Sequence, residues 1–197
     1  MANALRTFIA LPVPGHVTGF LKQTQDRLRP LIAGVRWVPA ANVHLTLKFL
    51  GDVDPAMVPE IVSGMEAAAR SVPSFALSAK AVGVFPNRRK ARVIWVGLAG
   101  ERKPLDTLHH SLESGLAGLG FKPEHRAFRA HLTIGRIRRR PNPETLARSL
   151  EPFASAVSEP FEVDQMRLYQ SVLKPTGAEY TLLHTAPLAP SDATITP

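Results

Sequence analysis

The chain has 197 residues, 45% of them hydrophobic and 20% charged, enough for one substantial domain or two small lobes. It contains no cysteine, which excludes disulfides, thiolate metal sites and cysteine nucleophiles and leaves histidine as the natural proton carrier near neutral pH. A formal charge of +8 and a pI of about 10.4 favour polyanionic partners, and no apolar run approaches the roughly 18 residues of a membrane span.

Taken in chain order, Leu5 to Leu11 reads as a strand. The apolar stretch Thr7 to Val13 is too short for a signal peptide and is broken by Pro12 and Pro14, so a cytoplasmic location is expected. Pro14 opens a helical period carrying Val17, Phe20, Leu21, Leu28 and Leu31 on one face. Val35 to Val38 is a short strand and Val43 to Leu50 a longer one, ended by Gly51-Asp52. Pro55 starts a second helix with Val58, Ile61, Val62, Met65 and Ala69 inward.

Phe75 to Val84 and Ala91 to Leu98 form a predicted hairpin around a basic turn. Pro104 begins a helix with Leu105, Leu108, Leu112, Leu116 and Leu119 in register, stopped by Gly120. Arg129 to Ile137 is a strand and Pro143 to Phe153 a short helix. Phe161 to Leu173 and Glu179 to Leu188 close the fold around Lys174-Pro175-Thr176-Gly177. Strands and helices mix without strict βαβ alternation, so the fold class is α+β with antiparallel sheets. Residues 1–188 are expected to form one unit and 189–197 a flexible tail.

A pattern of histidine, apolar, threonine, apolar occurs twice, as His44-Leu45-Thr46-Leu47 and His131-Leu132-Thr133-Ile134, 87 positions apart. Side chains on a strand alternate faces, so each copy has one wet face bearing His and Thr and one dry face. With 7 His, 12 Thr and this hydrophobic content, composition alone predicts about 0.09 copies. A partial third copy, His16-Val17-Thr18-Gly19, ends in Gly and falls in a helical period; it is accidental. Two such strands side by side would set two imidazoles and two hydroxyls around one cavity, the set that acid and base displacement at phosphorus requires. Lys48 is expected on the same face as His44 and Thr46. His109, His110 and His125 match no ligand spacing and read as surface or helix-flank residues.

Two basic clusters stand out, Arg88 to Arg92 and Arg136 to Arg140. The second begins five residues after His131, where basic charge suits a phosphate-bearing substrate. The residue five after each motif His is Phe49 or Arg136. Strict alternation would turn both away from the histidines, so a strand end or a bulge must turn them back; Gly135 permits a bulge beside Arg136.

These residues resemble the RNA 2′,3′-cyclic phosphodiesterases, also called 2′-5′ RNA ligases, of the two-histidine phosphoesterase superfamily. The resemblance rests on both motifs, on Arg6 to Leu11, on Arg36-Trp37-Val38-Pro39, on Asn42 to Gly51 and on Arg136, and covers nearly the whole chain. It implies a bilobal α+β duplication, two antiparallel sheets facing a central cleft with helices outside. It implies hydrolysis of an RNA 2′,3′-cyclic phosphate to a 2′-phosphate, with His131 as general base for water and His44 as general acid for the leaving 3′ oxygen. Thr46 and Thr133 would hold the phosphate oxygens, and Phe49 and Arg136 would stack on the terminal base. No metal or other cofactor is expected, in keeping with the absence of any HExxH helix. The implied partners are RNA ends or nucleoside 2′,3′-cyclic phosphates, bound by a monomer. Two rivals stand beside hydrolysis: 2′-5′ ligation by reversal at the same site, and an RNA-binding module without turnover, which would have no need of a matched acid and base.

Overall fold

The computed structural model describes residues 4–124, 126–175 and 177–191. Its strands are β1 (Leu5–Leu11), β2 (Val35–Trp37), β3 (Leu45–Val53), β4 (Phe75–Phe85), β5 (Val93–Gly100), β6 (His131–Ile137), β7 (Phe161–Val163), β8 (Gln165–Lys174) and β9 (Gly177–Pro187). The helices are α1 (Gly15–Leu28), α2 (Val58–Arg70), α3 (Arg102–Ala117) and α4 (Pro143–Leu150). All strand pairs are antiparallel, in the order β7-β4-β5-β6-β3-β1-β8-β9, with β2 also on β6.

The sheet is two lobes joined at one residue pair. β3, β1, β8 and β9 make the first lobe; β6, β5, β4, β7 and β2 make the second. β6 and β3 meet only at Leu45↔Leu132, because β2 occupies the rest of that edge of β6 through Val35↔Ile137, Arg36↔Arg136 and Trp37↔Gly135. Beyond Leu45, β3 leaves β6 and pairs with β1, so the two lobes diverge from the seam and leave a groove between them.

The helices cover the opposite face. Leu105, Leu108, Leu112 and Leu116 of α3 are fully buried, as are Val17, Leu21 and Leu28 of α1 and Ile61 and Met65 of α2. Each such side chain contributes about 1.5–3 kcal/mol of transfer free energy. Leu31, predicted on the buried face of α1, instead lies past the helix end and is exposed.

The predicted closing strand Phe161 to Leu173 is two strands in different lobes. β7 pairs with β4 and β8 with β1, and the chain crosses between lobes at Asp164. The slip is visible in the burial pattern, since Val163 and Met166 are both buried yet three apart, which no single period-two strand allows. Ala189, placed in the tail by sequence, is held by its N–H on the Val72 carbonyl and by its own carbonyl, which accepts from Ser74. Of that predicted tail, residues 192–197 lie outside the described residues, as does His125.

Three bulges shape the motif strands, two in β3, at Leu47 and Leu50, and one in β6. The β1–β3 register shifts between Ile9 and Ala10, leaving Leu47 as the extra residue, so that Leu47 and Lys48 both turn inward and Phe49 turns back out. Lys48 therefore does not share the face of His44 and Thr46. It is buried, with Nζ donating to both carboxylate oxygens of Glu113 at 2.7 and 2.8 Å and to the Lys122 carbonyl at 3.1 Å. Glu113 also accepts from the Glu124 N–H. His109, expected on the surface, lies beside this pair and stacks on Phe128 at 3.9 Å. In β6 the register against β5 shifts between Ile94 and Trp95, which makes Ile134 the extra residue.

Removing one member of a buried, fully bonded ion pair leaves the other uncompensated. Lys48→Met is expected to lower unfolding free energy by about 3–5 kcal/mol in urea titrations. The double variant K48M/E113L is expected to recover much of that loss; a Lys48→Met midpoint equal to wild type would contradict the assignment.

Candidate active site

Leu45 and Leu132 face the core, so their motif neighbours face the groove. Continuing the seam register by one residue each way sets His44 across from Thr133 and Thr46 across from His131. The strands thus bring together the four residues that the sequence singled out, two from each lobe, on one face.

The imidazoles are held alike. His44 Nδ1 donates to the Asn42 carbonyl at 2.9 Å, and His131 Nδ1 donates to the Arg129 carbonyl at 2.6 Å. A carbonyl oxygen only accepts, so each Nδ1 carries the hydrogen and each Nε2 is left as the titrating atom. Asn42 is itself fixed, its side-chain amide donating to the Ala178 carbonyl at 3.0 Å.

Their surroundings differ. The His44 ring stacks on Phe8 at 4.6 Å and meets the edge of Tyr180 at 5.3 Å; Phe8 also packs on Tyr169 at 5.3 Å and on Phe49 at 5.9 Å. Phe8 is buried while Phe49 is 66% exposed, so Phe49 is the open rim of this aromatic cluster. Burial lowers the His44 pKa from 6.5 to about 4, with the bond to Asn42 opposing and the Arg136 charge reinforcing the shift. Burial raises the Tyr180 pKa, with Arg136 opposing. His131 meets only the edge of Phe85, at 5.0 Å, and Phe85 packs on Trp95 at 5.1 Å.

Arg136 is exposed, and its charge acts on both His44 and Tyr180, which places it at the groove. The Ile134 bulge put it there. The bulged carbonyl accepts from the Val38 N–H at 3.0 Å and from the side-chain amide of Gln25, a buried residue of α1, at 2.8 Å. A Cβ on Gly135 would come within 2.8 Å of Val35 Cγ1 and 3.2 Å of Trp37, so glycine is what the close approach of β2 requires. Phe49 and Arg136 both return to the histidine face by a bulge in their own strand. Gln25, Phe8, Tyr169 and Tyr180 were not singled out as site residues; only Gln25 left a signal, a polar residue on the buried stripe of α1. A separate cavity of about 680 Å³ lies away from the histidines, between β4 and α4.

A profile of the family described as LigT like Phosphoesterase matches residues 11–95 and again residues 96–180, one copy of the motif in each. The chain belongs to the LigT-like phosphoesterases. Two relatives named RNA 2′,3′-cyclic phosphodiesterase illustrate the family. That of Methanocaldococcus jannaschii is 31% identical over 91% of this chain and 98% of its own, and that of Thermotoga maritima 34% identical over 91% and 94%. Among solved structures, the protein TT0787 of Thermus thermophilus superposes with a TM-score of 0.78 at 27% identity, covering 94% of this chain and 99% of its own. Escherichia coli LigT complexed with 3′-AMP superposes at 0.76 and 25% identity, covering 94% and 98%. Each half of the tandem match carries one histidine motif, and each lobe draws strands from both halves.

In the free protein the His44 imidazole is expected to stay neutral down to about pH 4 in a ring-nitrogen NMR titration. Arg136→Gln removes a repelling charge and is expected to raise that value; a His44 midpoint near 6.5 in wild type would contradict the packing.

Proposed function

We propose that this phosphoesterase hydrolyses RNA 2′,3′-cyclic phosphate ends to 2′-phosphates with His44 and His131 as acid and base. The observation that carries the reading is the pair of Nε2 atoms, each set by an Nδ1 bond to the carbonyl two residues back, on the shared face of two strands joined at Leu45↔Leu132. Two proton carriers on opposite sides of one site suit displacement at a phosphorus between them.

In this mechanism His131 Nε2 takes a proton from water as the water oxygen bonds to phosphorus. The bond from phosphorus to the 3′ oxygen breaks on the opposite side, and His44 Nε2–H gives that oxygen its proton. One water is consumed, and the products are a 2′-phosphate and a 3′-hydroxyl. Thr46 and Thr133 hydroxyls donate to the non-bridging oxygens, where charge builds in the transition state. Phe49 and Arg136 hold the terminal base, a π face and a cation that tolerate any base. The division of acid and base follows the family resemblance. Burial keeps His44 neutral in the free protein, and the anionic phosphodiester beside Nε2 counteracts that, so His44 takes up the proton it needs from solvent as the substrate binds. Ligation of a cyclic end to a 5′-hydroxyl is the same displacement with that hydroxyl in place of water, leaving a 2′-5′ bond and a 3′-hydroxyl. The protein acts as a cytoplasmic monomer; among the described residues no helix is long and apolar enough to cross a membrane.

His44→Ala and His131→Ala are each expected to abolish hydrolysis of a nucleoside 2′,3′-cyclic phosphate while circular dichroism and melting stay near wild type. Thr46→Ala or Thr133→Ala should cost roughly 10²–10³ in kcat. Retention of near wild-type turnover in either histidine variant, or a 3′-phosphate product, would overturn the mechanism. The pH dependence of kcat/KM is expected to be bell-shaped, because one histidine must be protonated and the other neutral. A profile with a single limb would contradict it.

A further inference from the structure

Seven exposed cations outside the residues assigned above gather at one end of the second lobe. Arg88, Arg89, Lys90 and Arg92 lie in the turn between β4 and β5, and Arg138, Arg139 and Arg140 follow β6. The backbone ties these two segments together. The Ile137 N–H donates to the Arg92 carbonyl at 2.9 Å, and the Arg138 N–H to the Gly34 carbonyl at 2.8 Å.

The cluster is continuous with the groove. Arg136 is paired with Arg36 on one side and Val93 on the other, so Arg92 is one residue beyond that row on the neighbouring strand. Adjacent strands are about 4.8 Å apart, which puts the first of these cations within a side chain's reach of the groove. The turn carrying Arg88 to Arg92 springs from Phe85, whose ring meets His131.

Some exposed cations elsewhere, such as Arg6, Lys80 and Lys103, also lack a carboxylate among the described residues, but they lie on three different elements, and others are neutralised. Lys22, Arg29, Arg70, Arg102 and Lys174 each have a carboxylate within 4.0 Å, whereas among the described residues none of the seven does. Exposed and unpaired, they contribute nothing to the core, and their mutual repulsion opposes holding them together. A polyanion would relieve that repulsion and release its own counterions. A mononucleotide cannot supply it, because its one phosphate is the group between the histidines.

We propose that this ridge is a phosphate track for the RNA strand on the 5′ side of the cyclic end, and that the protein prefers polymeric ends to cyclic mononucleotides. The proposal rests on the hydrolase reading above. Neither cluster contains an aromatic side chain, so the track reads backbone phosphate and not sequence.

The test compares kcat/KM for a nucleoside 2′,3′-cyclic monophosphate with that for a short single-stranded RNA ending in the same cyclic phosphate, across a range of salt. The oligonucleotide is expected to be favoured about tenfold or more at low salt, with a log–log slope of about −0.7 for each phosphate contacted. The mononucleotide should show no comparable slope. The variants R88Q/R89Q/K90Q/R92Q and R138Q/R139Q/R140Q should each lower kcat/KM for the oligonucleotide and flatten its salt slope, leaving the mononucleotide unchanged. Equal efficiency on both substrates, or a salt slope that survives both sets of substitutions, would overturn this proposal alone. Failure of the wild-type protein to hydrolyse either substrate would overturn the hydrolase reading and the proposal with it.

Discussion

One backbone pair, Leu45↔Leu132, fixes the relation between the two halves of this protein. Both side chains are buried in the common core, so the alternation of a strand forces His44, Thr46, His131 and Thr133 to the other face. Because β2 takes up the remaining edge of β6, the two motif strands touch and then part. A longer ladder would have closed the space between the lobes, and no contact at all would have left the histidines unrelated. The seam thus sets two dispersed motifs into one groove.

The lobes mirror each other in backbone but not in environment, and the difference comes from side chains packed around the rings. His44 is sealed against Phe8 and Tyr180, which burial alone makes hard to protonate; His131 has only the edge of Phe85. A duplicated fold becomes asymmetric by this route, since packing around one imidazole makes it hard to protonate without any change in the motif. The Arg136 charge adds to the bias.

Much of this was legible before any coordinates. The alternation within His-x-Thr-x assigns its face without knowledge of a partner strand, and the conflict between that alternation and a role for Phe49 or Arg136 asks for a strand end or a bulge in each. A bulge is present in each, at Leu47 and at Ile134. Three features were not legible. Lys48 read as a groove residue because strict alternation sets it with His44 and Thr46 and nothing local places the irregularity before Lys48 and not after it, and its buried partner Glu113 lies 65 positions away on α3. The crossing at Asp164 hides in a single slip of phase between Val163 and Met166. Tyr169 and Tyr180 reach His44 only because β8 and β9 return to the first lobe, a consequence of topology that local sequence does not encode.

The central claim is that both imidazoles flank a single phosphorus atom. A crystal structure with a nucleoside vanadate, which mimics five-coordinate phosphorus, tests it most directly. The account predicts one vanadium centre with His44 Nε2 and His131 Nε2 each about 2.7–3.2 Å from opposite apical oxygens. Vanadate bound to one histidine alone, or seated away from both, would contradict it.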